Sequence, residues 1–281
     1  MSLVALLYGK DRPGLVAEVS KWILQNSGNI IHADQHCDFQ AEFFFQRVVW
    51  ECPIDNKSII GKNFSAFAKN TLGMEVNVYD TNNPLRVAIM VSKTDHCFHD
   101  LVLRFKSKEL GGDLISVISN HQNLSAVSSK YELPYYFFPV TKENKREAEI
   151  KLAKHLRSHR IDLLVLARYM QVLSINFLED WGKPVINIHH SFLPAFAGGK
   201  PYHQAYQRGV KIIGATAHYV TEELDAGPII QQDVTRINHR HPISDLIRRG
   251  KDLEKIVLSQ AVRWHLEHRI LTYNNKTVVF E

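Results

Sequence analysis

Cysteine is scarce in this chain: Cys37, Cys52 and Cys97 are the only three in 281 residues. An odd number at such wide spacing excludes a disulfide framework and points to a reducing cytoplasm. Long hydrophobic runs are missing as well. No apolar stretch reaches the ~18 residues that cross a bilayer, so no membrane partner is expected. The opening "MSLVALLYGKDRPG" reaches Asp11 and Pro13 with neither a charged leader nor a small-residue cleavage site, so nothing in it directs export. Charge of one sign is not massed anywhere: 34 Lys plus Arg are set against 29 Asp plus Glu, a net +5, and the basic residues are scattered. That distribution favours a soluble protein with anionic ligands over a nucleic-acid binder.

What is present divides into two blocks. "LVALLY" (3–8) reads as a short apolar strand, and "DRPGLVAEVSKWILQNSGN" as a helix with Leu15, Val16, Val19, Trp22, Ile23 and Leu24 at helical spacing, closing near Gly28. "NIIHADQHCD" and "AEFFFQRVVWE" are rich in branched and aromatic residues and read as strands, "SIIGKNFSAFAKNTLG" as a second helix, and "MEVNVYD" as a closing strand. "DTNNPL" follows as the linker, giving a domain over 1–82 and another over 83–281. His32 and His36 share a strand face near Cys37, but no second cluster completes four ligands, and no metal is expected.

The first block, most visibly "DRPGLVAEVS", resembles an ACT domain, the small amino-acid-binding regulatory module. A Pro-Gly turn opening a helix leaves backbone N–H groups free to receive a carboxylate. Asp11 and Gly14 are therefore the effector-binding candidates. A dimerisation role or a purely structural one stands beside that reading.

The second block begins at "RVAIMVS", a continuous apolar run typical of a strand buried on both faces of a parallel sheet. "DLISVISN", "YYFFPV", "DLLVLA" and "VINIHH" follow as strands with helices between them, which argues an α/β sheet with right-handed crossovers. "GATAHYV" and "PIIQQDV" read as neighbouring strands joined through "TEELDAG", and a long helical tail runs from about Pro242 to His268.

Within "VINIHHSFLP", Asn187 and His189 share one strand face while Ile186 and Ile188 share the other. An amide and an imidazole together suit a site at the carboxyl end of a strand, where open α/β sheets bind ligands. Satisfied core polar groups are the plainer alternative. Asp225 precedes Ala226-Gly227-Pro228, a turn that fixes its direction. Such an acid stabilises an imidazolium and makes it a usable acid near neutral pH. His218 lies on an apolar strand shortly before Asp225, where a supporting role and a core role are both open.

"VINIHHSFLPAFAGG", "GATAHYVTEELDAGPIIQQD" and "LARYMQVLS", in order, resemble the formyltransferase family that handles 10-formyltetrahydrofolate. The resemblance implies catalytic roles for Asn187, His189 and Asp225, and a folate pocket around Arg168, Tyr169, Met170, Val172 and Leu173. The transferases usually carry proline directly after the catalytic histidine, where this chain has His190. That departure, "GGKPYHQAYQRG" and the ACT-like block match the family's hydrolytic branch, the deformylases, over essentially the whole chain. The implied fold is α/β: a ferredoxin-like βαββαβ ACT domain, then a Rossmann-like formyltransferase domain with a mostly parallel sheet.

The implied reaction is hydrolysis of 10-formyltetrahydrofolate to formate and tetrahydrofolate, with the folate as substrate and no cofactor. Asn187 and His189 would stabilise the oxyanion while Asp225 supports proton transfer and water activation. A transferase acting on a ribonucleotide amine needs a phosphate cradle of Gly-rich backbone after the first strand of the sheet. Here that position reads "SKTDHCF", without glycine and with Asp95 opposing a phosphate. Lys200, Tyr202 and His203 are candidates to close over the site where a transferase admits its amine, Lys200 being counted with His218 among the substrate-binding residues. Glycine or methionine is the expected effector, and a homo-oligomer the expected assembly. Transfer to an amine and non-catalytic folate or amino-acid sensing are the alternative functions.

Overall fold

A computed structural model describes residues 2–52, 57–195 and 201–281. It contains two compact units, one of residues 1–84 with 267–281 and one of residues 85–266.

The first unit runs β1 (Ser2–Lys10), α1 (Leu15–Gln25), β2 (Asn29–Asp38), β3 (Phe43–Glu51), α2 (Lys57–Phe67) continued by a π turn at Ala68–Leu72, and β4 (Glu75–Asp80). The strands form one sheet in the order β2-β3-β1-β4, with every neighbouring pair antiparallel. This is the ferredoxin-like arrangement of an ACT-like domain. Period-two alternation explains how the central strands serve two cores. Leu3, Ala5 and Leu7 of β1 pack with Leu15, Val19 and Ile23 of α1 and Phe64 of α2, while Leu6 joins Phe45 in a cluster on other partners. Of the apolar positions expected on α1, Val16 and Leu24 prove exposed, so its buried stripe is narrower than the sequence spacing suggests.

The second unit runs β5 (Leu85–Val91), α3 (His96–Lys106), β6 (Gly112–Ser119), α4 (Ser125–Lys130), β7 (Tyr135–Phe137), α5 (Lys145–Ser158), β8 (Leu163–Leu166), α6 (Ile175–Trp181), β9 (Val185–His189), α7 (Pro201–Arg208), β10 (Ile212–Tyr219), β11 (Ile229–Arg236) and α8 (Ile243–Leu266). Its seven strands lie in the order β11-β10-β9-β8-β5-β6-β7. Pairing is parallel from β9 to β7, and antiparallel where β10 meets β9 and β11. The strand order reverses between β5 and β8, since the chain winds outward from β5 to β6 and β7 and then returns to β8 on the other side. Crevices at such a switch point are where open α/β sheets take ligands. No helix among the described residues is long and apolar enough to cross a membrane.

The carboxyl-terminal segment departs from the sequence reading, which assigned all of 83–281 to the second domain and ended on a helix reaching His268. The helix stops at Leu266, and β12 (Ile270–Tyr273) and β13 (Lys276–Val279) form a hairpin that belongs with the first unit. The physical reason is an apolar face that the first sheet would otherwise leave wet: Leu271 and Phe280 are buried with Leu6 and Phe45. Arg47, itself buried, donates to the Glu267 and His268 carbonyls and anchors the returning chain. Phe280 is 2% exposed, so Phe280→Ala is expected to cost about 3–5 kcal/mol of stability. Chemical denaturation of the full chain measures it, and a loss under about 1 kcal/mol would show that the hairpin is not part of that core.

Candidate active site

Asn187 of β9 stands opposite His218 of β10, as His189 stands opposite Thr216. Directly opposed side chains on antiparallel strands come close, and Asn187 Nδ2 lies 3.2 Å from His218 Nε2. His218 Nδ1 lies 2.9 Å from the Tyr219 carbonyl oxygen, so its ring is held between that carbonyl and the Asn187 amide. The second N–H of that amide remains for the pocket. A register shift between Ala217 and His218 marks a bulge, a device that re-aims side chains beside sites.

Asp225 sits on the loop joining β10 to β11. One carboxylate oxygen is 3.1 Å from His189 Nδ1 and the other 3.6 Å from His218 Nε2. The loop can take this path because Gly227 has no side chain: a Cβ there would fall 1.9 Å from the Tyr219 carbonyl oxygen. Tyr219 N donates to the Pro228 carbonyl and closes the turn. Asp225 itself holds φ at 56°, and Arg168 across the pocket holds 64°. Two non-glycine residues in the left-handed region at one site fit the tendency of backbone strain to gather where geometry matters.

With Nδ1 given to Asp225, His189 keeps Nε2 buried and without a partner among the described residues. Hydrogen bonds from His189, then from His218, hold the Asp225 carboxyl well below its ordinary value, outweighing burial. The next residue, His190, goes the other way: burial, then the Arg168 charge, lowers it to about 4, so it is neutral at neutral pH. The turn beyond is clamped by Thr216, whose hydroxyl donates to the Ser191 carbonyl at 2.8 Å and accepts from Leu193 N and Gln232 Nε2.

These groups line one pocket of about 280 Å³, together with the segment that leaves β8. Arg168, Tyr169, Met170, Val172 and Leu173, singled out in the sequence, all border it, as do Asn187, His189, His218 and Asp225. Leu166 of β8 is paired with Asn187, which sets the segment beside the amide. Met170 N takes a hydrogen bond to Ser92 Oγ, and Glu149 receives Ser174 N at the segment's far end. Met170, Val172 and Leu224 are more than half exposed around the mouth, an apolar surface of the kind that marks a binding site. Lys200 lies outside the described residues. Tyr202 is buried and His203 is exposed.

Sequence reasoning passed over Glu254 and His96. Glu254 is 1% exposed on α8, with His96 Nε2 donating to it at 2.8 Å and Arg168 Nε forming an ion pair with it at 3.5 Å. The signal was available, since Glu254 shares the helical stripe of buried Gly250, Val257, Leu258 and Ala261. An acid at a core position of an amphipathic helix needs a partner. His96, Cys97 and Glu254 also bring a nitrogen, a thiol and a carboxylate within 4.8 Å of one another. Burial raises the Cys97 thiol well above its ordinary value, and Arg168 already shares the carboxylate's charge, which disfavours a cation there.

The pocket of this α/β sheet brings Asn187, His189 and Asp225 together, and residues 85–262 match the formyl transferase family model. A formyltetrahydrofolate deformylase of Synechocystis sp. is 47% identical over 96% of this chain and 95% of its own. The crystal structure of a formyltetrahydrofolate deformylase from Pseudomonas syringae superposes with a TM-score of 0.93 at 42% identity, covering 100% of this chain and 94% of that one. A phosphoribosylglycinamide formyltransferase from Anaplasma phagocytophilum matches 71% of this chain and 96% of its own, with a TM-score of 0.64 at 30% identity. The chain belongs to the formyltetrahydrofolate deformylase family.

The depressed Asp225 pKa fixes a pH effect. A carboxyl whose folded pKa lies below its unfolded value contributes stability that is present above the unfolded value, near 3.8, and is lost as pH falls through the folded one. Unfolding free energy should therefore fall more steeply below about pH 4 in the wild type than in Asp225→Asn. Parallel acid limbs in denaturation curves of the two proteins would show that the His189 and His218 contacts do not hold the charge.

Proposed function

We propose that this chain hydrolyses 10-formyltetrahydrofolate to formate and tetrahydrofolate, with Asn187, His189 and Asp225 as its catalytic residues. The observation that carries the residue roles is His189: Nδ1 is committed to an anionic carboxylate, and Nε2 is buried, unpartnered and on the pocket wall. Water attacks the formyl carbon, and the C=O electron pair moves onto oxygen. The free N–H of Asn187 and the N–H of a protonated His189 Nε2 then stabilise that oxygen. As the tetrahedral species collapses, the C–N10 bond breaks, N10 keeps the pair and takes a proton, and formate leaves. Asp225 takes the proton that the attacking water gives up, protonated His189 gives its own to N10, the proton on Asp225 restores His189, and the remaining hydroxyl proton goes to solvent as formate forms. His218 supports the pair by holding both Asn187 and Asp225.

The expected outcome is formate release by the full chain with no amine present. Asn187→Ala should lower kcat by on the order of a hundredfold or more, as for loss of one oxyanion donor. Asp225→Asn should bind folate yet lose most of kcat. Release that depends strictly on an added amine would overturn the hydrolase reading, and a near-normal kcat in Asp225→Asn would reduce that residue to a turn former.

The first unit is proposed as an amino-acid effector module, with glycine and methionine the first ligands to try. Gly14, at φ 93°, caps α1 without a side chain, and Asp11 lies before it. Assembly as a homo-oligomer is supported by the edge strand β2, where Ile31 is half exposed and Phe39 just beyond it is 87% exposed. Three free cysteines suit a reducing cytoplasm. Titrating each amino acid while following formate release should show a change of roughly fivefold or more, and Gly14→Val should abolish it. No response in the wild type would leave the unit to assembly alone, with light scattering on the same samples reading the oligomer.

A further inference from the structure

A second buried ionic cluster lies beside the pocket and shares Arg168 with its wall. Glu254 Oε1 accepts from the Tyr202 hydroxyl at 2.6 Å, and Oε2 accepts from His96 Nε2 at 2.8 Å and lies 3.5 Å from Arg168 Nε. Four segments thus meet at one carboxylate: the first residue of α3, the segment after β8, α7 and α8. Burial pushes the Glu254 carboxyl up, but His96, Arg168 and Tyr202 together carry it below its ordinary value. Burial and that same carboxylate push the Tyr202 phenol up, so it stays a donor. The helix is shaped to admit the ring. A Cβ on Gly250 would fall 2.1 Å from the Tyr202 hydroxyl oxygen, and glycine inside a helix costs about 1 kcal/mol relative to alanine.

The location gives the cluster its meaning. The loop after β5 borders the switch point and leads into the first turn of α3, a position that in open α/β sheets suits a phosphate or other anion. In this chain the anion beside that turn is Glu254's own. His190 connects cluster and catalytic histidine, its ring centroid 5.9 Å from Tyr202 and 5.2 Å from His189.

Resting on the hydrolase reading, we propose that Glu254, Tyr202, His96 and Arg168 form a specificity device that fills the space behind the pocket wall at Arg168 and His190 with an internal anion and an aromatic ring, excluding phosphate-bearing amines and leaving water as the acceptor. The excluded step is transfer. An amine nitrogen would bond to the formyl carbon, the C–N10 bond would break with its pair on N10, and N10 would take the proton the amine loses.

The test incubates the full chain with 10-formyltetrahydrofolate and 2-aminoethyl phosphate, and measures formylated amine against formate. Formate release without amine is read first, because its failure belongs to the hydrolase reading and not to this inference. The wild type should give formate alone, and Tyr202→Phe, which keeps the ring, should do the same. Tyr202→Ala should give formylated amine at least about tenfold above the wild-type background. Glu254→Gln keeps the volume and removes the charge, leaving Arg168 unneutralised. Inorganic phosphate should then slow formate release at least about fivefold more than in the wild type. Melting curves and the folate KM establish that each variant is folded. Formylated amine at the wild-type background in folded Tyr202→Ala, or phosphate sensitivity in Glu254→Gln equal to wild type, would overturn the proposal. Should Tyr202→Ala fail to fold, the phosphate measurement on Glu254→Gln decides alone.

Discussion

The contact between Asp225 and His189 governs the rest of the site. A carboxylate 3.1 Å from an imidazole nitrogen fixes which nitrogen is left for chemistry, and both groups are placed by backbone that has little freedom. His189 is the last residue of a strand with neighbours on both sides, and Asp225 rides on a loop that closes only because Gly227 can touch the Tyr219 carbonyl. The carboxylate also reaches His218, which in turn holds Asn187. One ion pair thereby aligns four side chains, and charge placed beforehand at the reacting centre need not be reorganised during reaction.

Around that pair the fold supplies contrast. His189 faces a carboxylate, whereas its neighbour His190 faces burial and a guanidinium and is neutral. His190 thus presents an uncharged ring beside His189. Glu254 then balances Arg168, so the positive charge at the pocket's edge is spoken for. The strained backbone at Asp225 and Arg168 is the cost of aiming both side chains into the same space.

Much of this was legible in the sequence because it rests on local patterns. Alternation in "VINIHH" put Asn187 and His189 on one face, Gly-Pro after Asp225 marked a fixed turn, and continuous apolar runs gave the parallel strands. The segment "LARYMQVLS" pointed to pocket residues through resemblance, and Arg168 to Leu173 do border the pocket. What escaped depended on contacts between distant residues. Glu254 and His96 are separated by most of the second unit and meet only when α8 packs near α3. The β12–β13 hairpin turns at Asn274-Asn275, both at positive φ, but its strands are short, and its place is decided by the apolar face of Leu6 and Phe45 far back in the chain. Val16 and Leu24 had helical spacing without burial, since spacing identifies a helix more reliably than the width of its covered face.

The central claim is that water, activated beside the Asp225–His189 pair, is what attacks the formyl carbon. Single-turnover reaction in oxygen-18 water, with mass spectrometry of the formate, tests it most directly. The account predicts one solvent oxygen in each formate formed, at a rate that collapses in Asp225→Asn. Formate without solvent label, or label incorporated as fast in that variant as in the wild type, would contradict it.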